Sequence, residues 1–290
     1  MIGLIITKTR EQYLLKLIFL RNILFRSWIG YSNLRKKSSS NFSLIIILVL
    51  LFQNLLTAQA DYDYYIPMPE EQIHTSLKVC TDARNRSLSN HINTVISIVA
   101  TDDNIIIYYD HWEDGMEWII TSPISSSTQI WGDGNNANGI PPGFSSDLIN
   151  AGDVISLENY VYLPRNPSSL KYDGRDRIAS SAQLAVSRAA WAPTPEPVLS
   201  GAVEMLEGGA FGEDFEIPVG ENYNPNGMFD YVALMVMAKD NLTQVSIDVD
   251  GDGSYEYVQM LNRGESFQVD GGIQTGAKII ANNPIQAHLI

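Results

Sequence analysis

The sequence predicts an all-β fold: two tandem duplicated β-sandwich-like modules behind an N-terminal signal segment. Three observations carry that expectation. From Asp61 onward no stretch sustains a 3.6-residue apolar period, short β-branched and aromatic runs recur between Gly, Pro, Asn and Asp clusters, and one ordered set of segments is written twice. Eleven strands follow, at 94–100, 105–111, 117–121, 154–161, 183–188, 231–238, 244–249, 255–261, 266–269, 278–281 and 285–290. Short strands in that number suit sandwiches or barrels. Two loops, 131–146 and 193–219, are longer than a compact sandwich needs, and long loops on a rigid scaffold are where binding concentrates.

The repeat sets the domain expectation. Segment 97–104 is echoed by 234–241, and an Asp-Gly turn follows in each case, Asp114-Gly115 and Asp252-Gly253. Segment 149–155 is then echoed by 261–267, and 177–186 by 278–287. Four matches in one order define a first module over 61–195, a Gly/Pro/Glu-rich connection over 196–230 and a second module over 231–290. Repetition of this type belongs to binding and structural proteins more often than to enzymes. Because the sequence stops at Ile290 inside an apolar strand, the natural protein is expected to continue.

Charge separates the ends of the chain. Residues 1–60 hold 8 basic and 1 acidic side chain, and the remainder holds 11 basic and 32 acidic. The acidic body disfavours nucleic acid, whose recognition relies on Lys and Arg at phosphates, and it favours cations as small partners. Arg35-Lys36-Lys37, the unbroken apolar run 44–52 and Ala58-Gln59-Ala60 read as the three regions of a signal peptide cleaved after Ala60. The apolar run is too short for a hydrocarbon core of about 30 Å. A secreted or cell-surface protein is expected, with membrane attachment only through the leader or a missing C-terminal anchor. The single Cys80 excludes an intrachain disulfide and a thiolate zinc site. Asn85 and Asn241 begin N-glycosylation patterns.

The sharpest local signal is Asp248-Val249-Asp250-Gly251-Asp252-Gly253-Ser254-Tyr255-Glu256. Asp248, Asp250, Asp252 and Glu256 occupy positions 1, 3, 5 and 9 of a calcium loop, and Gly251 takes the glycine position. Gln259 stands where an EF-hand has its bidentate Glu, and the flanks are strand-like, so the candidate is a strand-loop-strand calcium site. The same residues also read as a solvated hairpin whose glycines supply positive φ. A second candidate is the ligand-binding set Trp112, Glu113, Asp114, Trp118 and Trp131. Its carboxylates beside indole rings suit a glycan, and as an acid/base pair they would suit glycoside hydrolysis; the plain alternative is an acidic hairpin with aromatic cross-strand partners. Asp133, Asn135 and Asn138 can wrap a cation or simply build a turn. Arg175-Asp176-Arg177 reads as a structural ion-pair cluster. His74, His91, His111 and His288 show no metal-ligand spacing among themselves, and no phosphate loop, dinucleotide fingerprint or nucleophile elbow is present.

Tyr65-Ile66-Pro67-Met68-Pro69-Glu70, the run 108–115, Trp131-Gly132-Asp133-Gly134 and the run 172–179, with the closing pattern Asn262-Arg263-Gly264-Glu265-Ser266 and 276–285, resemble the N-terminal region of large secreted or surface-attached, mostly bacterial proteins. Their repeated unit is similar to the IgGFc-binding protein N-terminal domain. The resemblance implies a non-enzymatic extracellular adhesion or scaffold region whose partner is an extracellular protein or glycan, and no residue here carries over immunoglobulin binding. A carbohydrate-active protein is the alternative.

Overall fold

The computed structural model describes residues 60–83, 86–194, 198–223 and 229–290. The expected leader, up to residue 59, and the Asn85 pattern lie outside the described residues. The protein is built on antiparallel sheets, as the sequence predicts. One four-stranded sheet has the order β1 (Tyr62–Tyr65), β6 (Arg177–Ser180), β3 (Ile107–Asp110), β4 (Gln129–Trp131). A second runs β5 (Val154–Tyr162), β2 (His91–Ala100), β7 (Leu184–Ala192), β8 (Val198–Glu204). A third runs β12 (Tyr257–Leu261), β11 (Thr243–Asp248), β14 (Lys278–Leu289), β10 (Leu234–Ala238), β13 (Ser266–Val269), with β9 (Gly212–Glu216) beside β14.

Side-chain alternation fixes how the first two sheets meet. Every second residue of β2 is buried, and β5 and β7 follow the same two-residue period over most of their length. Ile96, Ile98, Ile155, Leu157 and Val186 thereby join Tyr64, Ile107, Tyr109, Trp131 and Ile178 in one core between two layers. The third sheet has its own core of Leu234, Val236, Val245, Ile247, Ile279 and Ile285. Strand β10 is buried along its whole length, because Met235 faces the other way and packs with Ile73, Leu77, Ile92 and Ala190.

Ile73 and Leu77 belong to a helix, α1 (Glu70–Asp82), that the sequence reading lacks. Its inward positions are Glu70, Ile73, Ser76, Leu77 and Thr81, so the helical period is present but only two of the five are large and apolar. Glu70 and Glu71 in the first turn suit the positive end of the helix dipole. Strands β1, β4, β8 and β9 are likewise additions, and β6 was expected only through the repeat order.

Two strand expectations are corrected. Residues 117–121 form turns, and Trp112–Asp114 is a single 3-10 turn, so no acidic hairpin exists there. Side-chain carboxylates explain it: Asp110 accepts the Glu117 N–H (2.8 Å), and Glu117 accepts those of Ile124 (2.8 Å) and Ser125 (2.5 Å), which diverts the backbone from a ladder. The partner of β3 is instead β4. The segments 278–281 and 285–290 merge into the long β14, whose register shifts between Ile280 and Ile285 around Pro284.

Several pairings recur in the two halves. Asp110 lies opposite Arg177 and Ala100 opposite Leu184; Asp248 lies opposite Lys278 and Ala238 opposite Ile285. The Gly152 N–H donates to the Ala100 carbonyl (2.8 Å) and that of Gly264 to Ala238 (2.9 Å). Asp153 accepts the Asn150 N–H (2.7 Å) and Glu265 accepts that of Asn262 (2.7 Å).

Glu70 and Arg188 form an ion pair with both side chains fully buried. Arg188 also donates to the Pro67 and Met68 carbonyls and, at 3.2 Å, to Thr94 Oγ1. Breaking a buried pair strands the partner charge. Arg188→Met is expected to destabilise the protein by about 3–5 kcal/mol, and Glu70→Leu combined with Arg188→Met by clearly less. Denaturant unfolding of the two variants checks the order, and equal losses would contradict it.

Candidate functional site

Strands β11 and β12 place the four acidic residues of 248–256 around one turn. Ligand oxygens of Asp248, Asp250, Asp252 and Glu256 lie within 4.8 Å of one another, with Asp248 buried and the other three exposed. Asp248 accepts the Gly251 (2.7 Å) and Gly253 (2.9 Å) N–H groups, Asp252 accepts that of Ser254 (2.7 Å), and Glu256 reaches back to Val249 N–H (2.8 Å). Burial works against the Asp248 carboxylate, but the N–H groups of Gly253 and Gly251 outweigh it and hold the group below its ordinary range. Gly251 and Gly253 adopt φ of 76° and 96°, as the turn requires. An all-oxygen, mostly solvent-facing cluster of this kind can hold a hard divalent cation.

The second concentration of chemistry lies beneath the Trp112–Asp114 turn. Glu113 is not a surface acid: its side chain is fully buried, with Oε1 taking Arg165 Nη2 (2.5 Å) and the Lys171 N–H (2.8 Å). Asp176 accepts from Tyr109 Oη (2.8 Å) and from the N–H groups of Asp173 (3.1 Å) and Trp112 (3.2 Å). Asp173 lies 2.6 Å from Arg165 Nη2 and takes the Trp112 indole N–H at 3.3 Å. Burial, then the Glu70 and Asp176 carboxylates, push Asp173 up to about 10, with Arg165 opposing. Burial also lifts Glu70, against the pull of Arg188. For His111 burial disfavours the imidazolium, yet Asp176 beside it prevails and raises its pKa.

Above this cluster the Trp112 ring carries two guanidinium groups, Arg165 at 4.8 Å and Arg175 at 4.1 Å from its centroid. Arg175 has φ 85°, rare for a non-glycine residue, and its Nε–H donates to the Gly264 carbonyl at 3.1 Å. Trp112, Met116, Trp118, Arg175, Arg263 and Glu265 line a cavity of about 260 Å3. Trp118 is 74% exposed, with Arg263 5.5 Å from its centroid.

Of the expected ligand-binding residues, Trp112 and Trp118 therefore share one cavity. Glu113 is turned inward, Asp114 accepts the hydroxyls of Ser125 and Ser127, and Trp131 is fully buried in the first core. The carboxylates of 131–147 are taken up locally, Asp147 by Gly132 N–H (2.6 Å) and Asp133 by Asn135 N–H (2.8 Å) and Asn138 Nδ2 (2.8 Å). Sequence reasoning missed Arg165, Asp173, Arg263 and Glu265, which approach only through folding. Arg175 and Asp176 were expected as an ion-pair cluster, and Asp176 does sit among charges.

Calcium at 248–256 predicts a stability increment of about 2.7 kcal/mol at a hundredfold excess over Kd. Thermal melts of the full chain in millimolar calcium and in EDTA should show it, and Asp250→Asn should remove it; identical melts would reduce the aspartates to turn formers. Comparison with protein-family models, with curated proteins and with solved structures found no match to the chain, so its function is argued from these residues.

Proposed function

We propose that the chain is a non-enzymatic adhesion or scaffold region of a secreted or cell-surface protein, made of two copies of one β-module. The recurrent registers carry this reading: the same residues of each copy, Asp110 with Arg177 and Asp248 with Lys278, stand opposite one another. Copies diverging on one scaffold suit a binding or load-bearing role, whereas a catalytic constellation is seldom kept twice. The second copy begins at β9, inside the expected connection over 196–230 and ahead of the expected start at 231, since Phe215 lies opposite Ile279 as Tyr64 lies opposite Ile178, and Ile217-Pro218 follows β9 as Ile66-Pro67 follows β1. A calcium ion at Asp248, Asp250, Asp252 and Glu256 fixes the β11–β12 turn of that copy.

The ligand is a glycan, and the Trp112–Trp118 cavity receives it. The support is chemical: an exposed indole offers a flat apolar face to the C–H side of a sugar ring, while Arg263, Glu265 and Asn241 at the wall supply donors and acceptors for its hydroxyls. Trp112 is held between its neighbours and serves as wall. On a glycan array the full chain should bind a restricted set of sugars. Trp118→Ala should weaken binding by roughly 30-fold, about 2 kcal/mol, as for an aromatic anchor, with an unchanged melting temperature because the residue is exposed. Binding that survives the substitution, or no glycan bound at all, would count against the assignment.

A further inference from the structure

One row of side chains crosses the outer face of a sheet in each half. In the first half it is Asp63, Ala179, Tyr108 and Ile130, one residue each from β1, β6, β3 and β4. In the second half it is Asp214, Ile280, Ser246 and Val258, from β9, β14, β11 and β12. The rows correspond strand for strand, and each starts with an aspartate. They differ in what lies on them. In the first half Ile120, from the turns that follow Trp112–Asp114, packs with Tyr108 and Ala179, and all three are buried. Arg177 secures this cover: its Nη1 donates to the Glu117 carbonyl (3.1 Å) while its Nε holds Asp63 (2.7 Å).

The second row has no cover among the described residues. Residues 111–128 join β3 to β4, whereas only the turn 249–256 joins β11 to β12, so this connection has no segment to fold back over the sheet. Ile280 is 41% exposed, Val258 54% and Met260 56%. Val258 and Ile280 flank Ser246, which stands in the register of Tyr108. Large apolar side chains gathered on one exposed face mark an interaction surface more than singly scattered ones do.

Charge selects the partner. Asp214 and Glu216 are exposed on β9, and Asp250, Asp252 and Glu256 are exposed at the adjoining turn. Asp63 is paired with Arg177, but Asp214 has no ion-pair partner among the described residues. A second copy of this chain is a poor occupant, because its residues after 60 carry 32 acidic side chains against 11 basic. We propose that the outer face of β9, β14, β11 and β12 docks a basic, extended segment of another polypeptide. One large apolar side chain of that segment lies over Ile280 and Val258 as Ile120 lies over Ala179 and Tyr108, and its Lys or Arg residues meet Asp214 and Glu216. The segment takes in trans the place that 117–124 takes in the first half. The comparison uses the observed registers alone, and this surface is separate from the glycan cavity.

Short random peptides displayed as a library, selected on the full chain and counter-selected on the full chain carrying Ile280→Lys, test the assignment. Enriched peptides should carry a large apolar residue flanked by Lys or Arg. The strongest of them, made synthetically, should bind saturably and lose about tenfold or more in affinity for Ile280→Lys and for Val258→Lys. Asp214→Asn should weaken it less, added salt should weaken it further, and Trp118→Ala should leave it unchanged. No enrichment over the counter-selection, or enriched peptides that are acidic or lack the apolar residue, overturns the proposal. Binding abolished by Asp250→Asn but kept by Ile280→Lys also overturns it, since attraction to the acidic turn alone would then suffice. A concentration-dependent dimer broken by Ile280→Lys would place a second copy on the face and overturn it as well. Should Ile280→Lys fail to fold, Val258→Lys, on the edge strand β12, takes its place in the counter-selection.

Discussion

The ion pair between Glu70 and Arg188 is the constraint from which the rest of this structure is arranged. Both side chains are removed from water, so each must be satisfied by protein, and the partners come from distant parts of the chain. Arg188 stands on β7 and draws the carbonyls of Pro67 and Met68 onto itself; Glu70 opens α1 and accepts the Gly174 N–H at 3.1 Å. Gly174 can come that close only without a side chain, because a Cβ there would lie 2.6 Å from Pro69 Cα. The helix, the inner strand and the turn before β6 are thereby fixed by one pair of charges. The next residue, Arg175, is delivered in its left-handed conformation to the Trp112 ring and to Gly264.

An acidic chain that buries its few arginines has a simple electrostatic logic. Only 11 basic residues follow position 60, against 32 acidic ones. Arg165 and Arg188 pair with enclosed carboxylates, and Arg177 with the partly buried Asp63 at 2.7 Å. The surface left over is strongly negative and suits cations and uncharged ligands better than phosphates. Enclosure has a cost that stays visible in protonation: burial pushes Asp110 up to about 6, although the Glu117 N–H and Thr128 Oγ1 both donate to it.

Much of the β architecture could be read from sequence because its cause is local. Alternation in 91–100 and 154–162 follows from one face of each strand being buried, and the Gly152 and Gly264 turns carry their own acidic caps. The four acids of 248–256 were legible for the same reason, since a single turn gathers them. What escaped was set at a distance. Helix α1 shows two large apolar residues on its buried face, too few to register as a period, and β1 and β9 are short edges whose pairing depends on β6 and β14. The 108–118 segment misled because alternating aromatic residues imitate a hairpin, when carboxylates of Asp110 and Glu117 consume the N–H groups a ladder would need. The cluster of His111, Glu113 and Asp176 leaves no spacing to detect, because two of its members are neighbours and the third is sixty-odd residues away.

Asp110 and Asp248 stand in matching registers under different obligations, and their difference explains why one half keeps its acidic groups at the surface while the other encloses them. Each ends an inner strand opposite a cation, Arg177 or Lys278. In the second half the residues after the aspartate are small or acidic, so the turn stays open, Asp248 is met by the N–H groups of Gly251 and Gly253, and further carboxylates gather at the surface. In the first half His111 and Trp112 follow instead. The indole closes over the turn, Glu113 is driven inward, and the acidic groups collect below the ring among arginines. Trp112, where the other half has Asp250, together with Arg165 and the Lys171 N–H, thus goes with a negative cluster moved from solvent to interior.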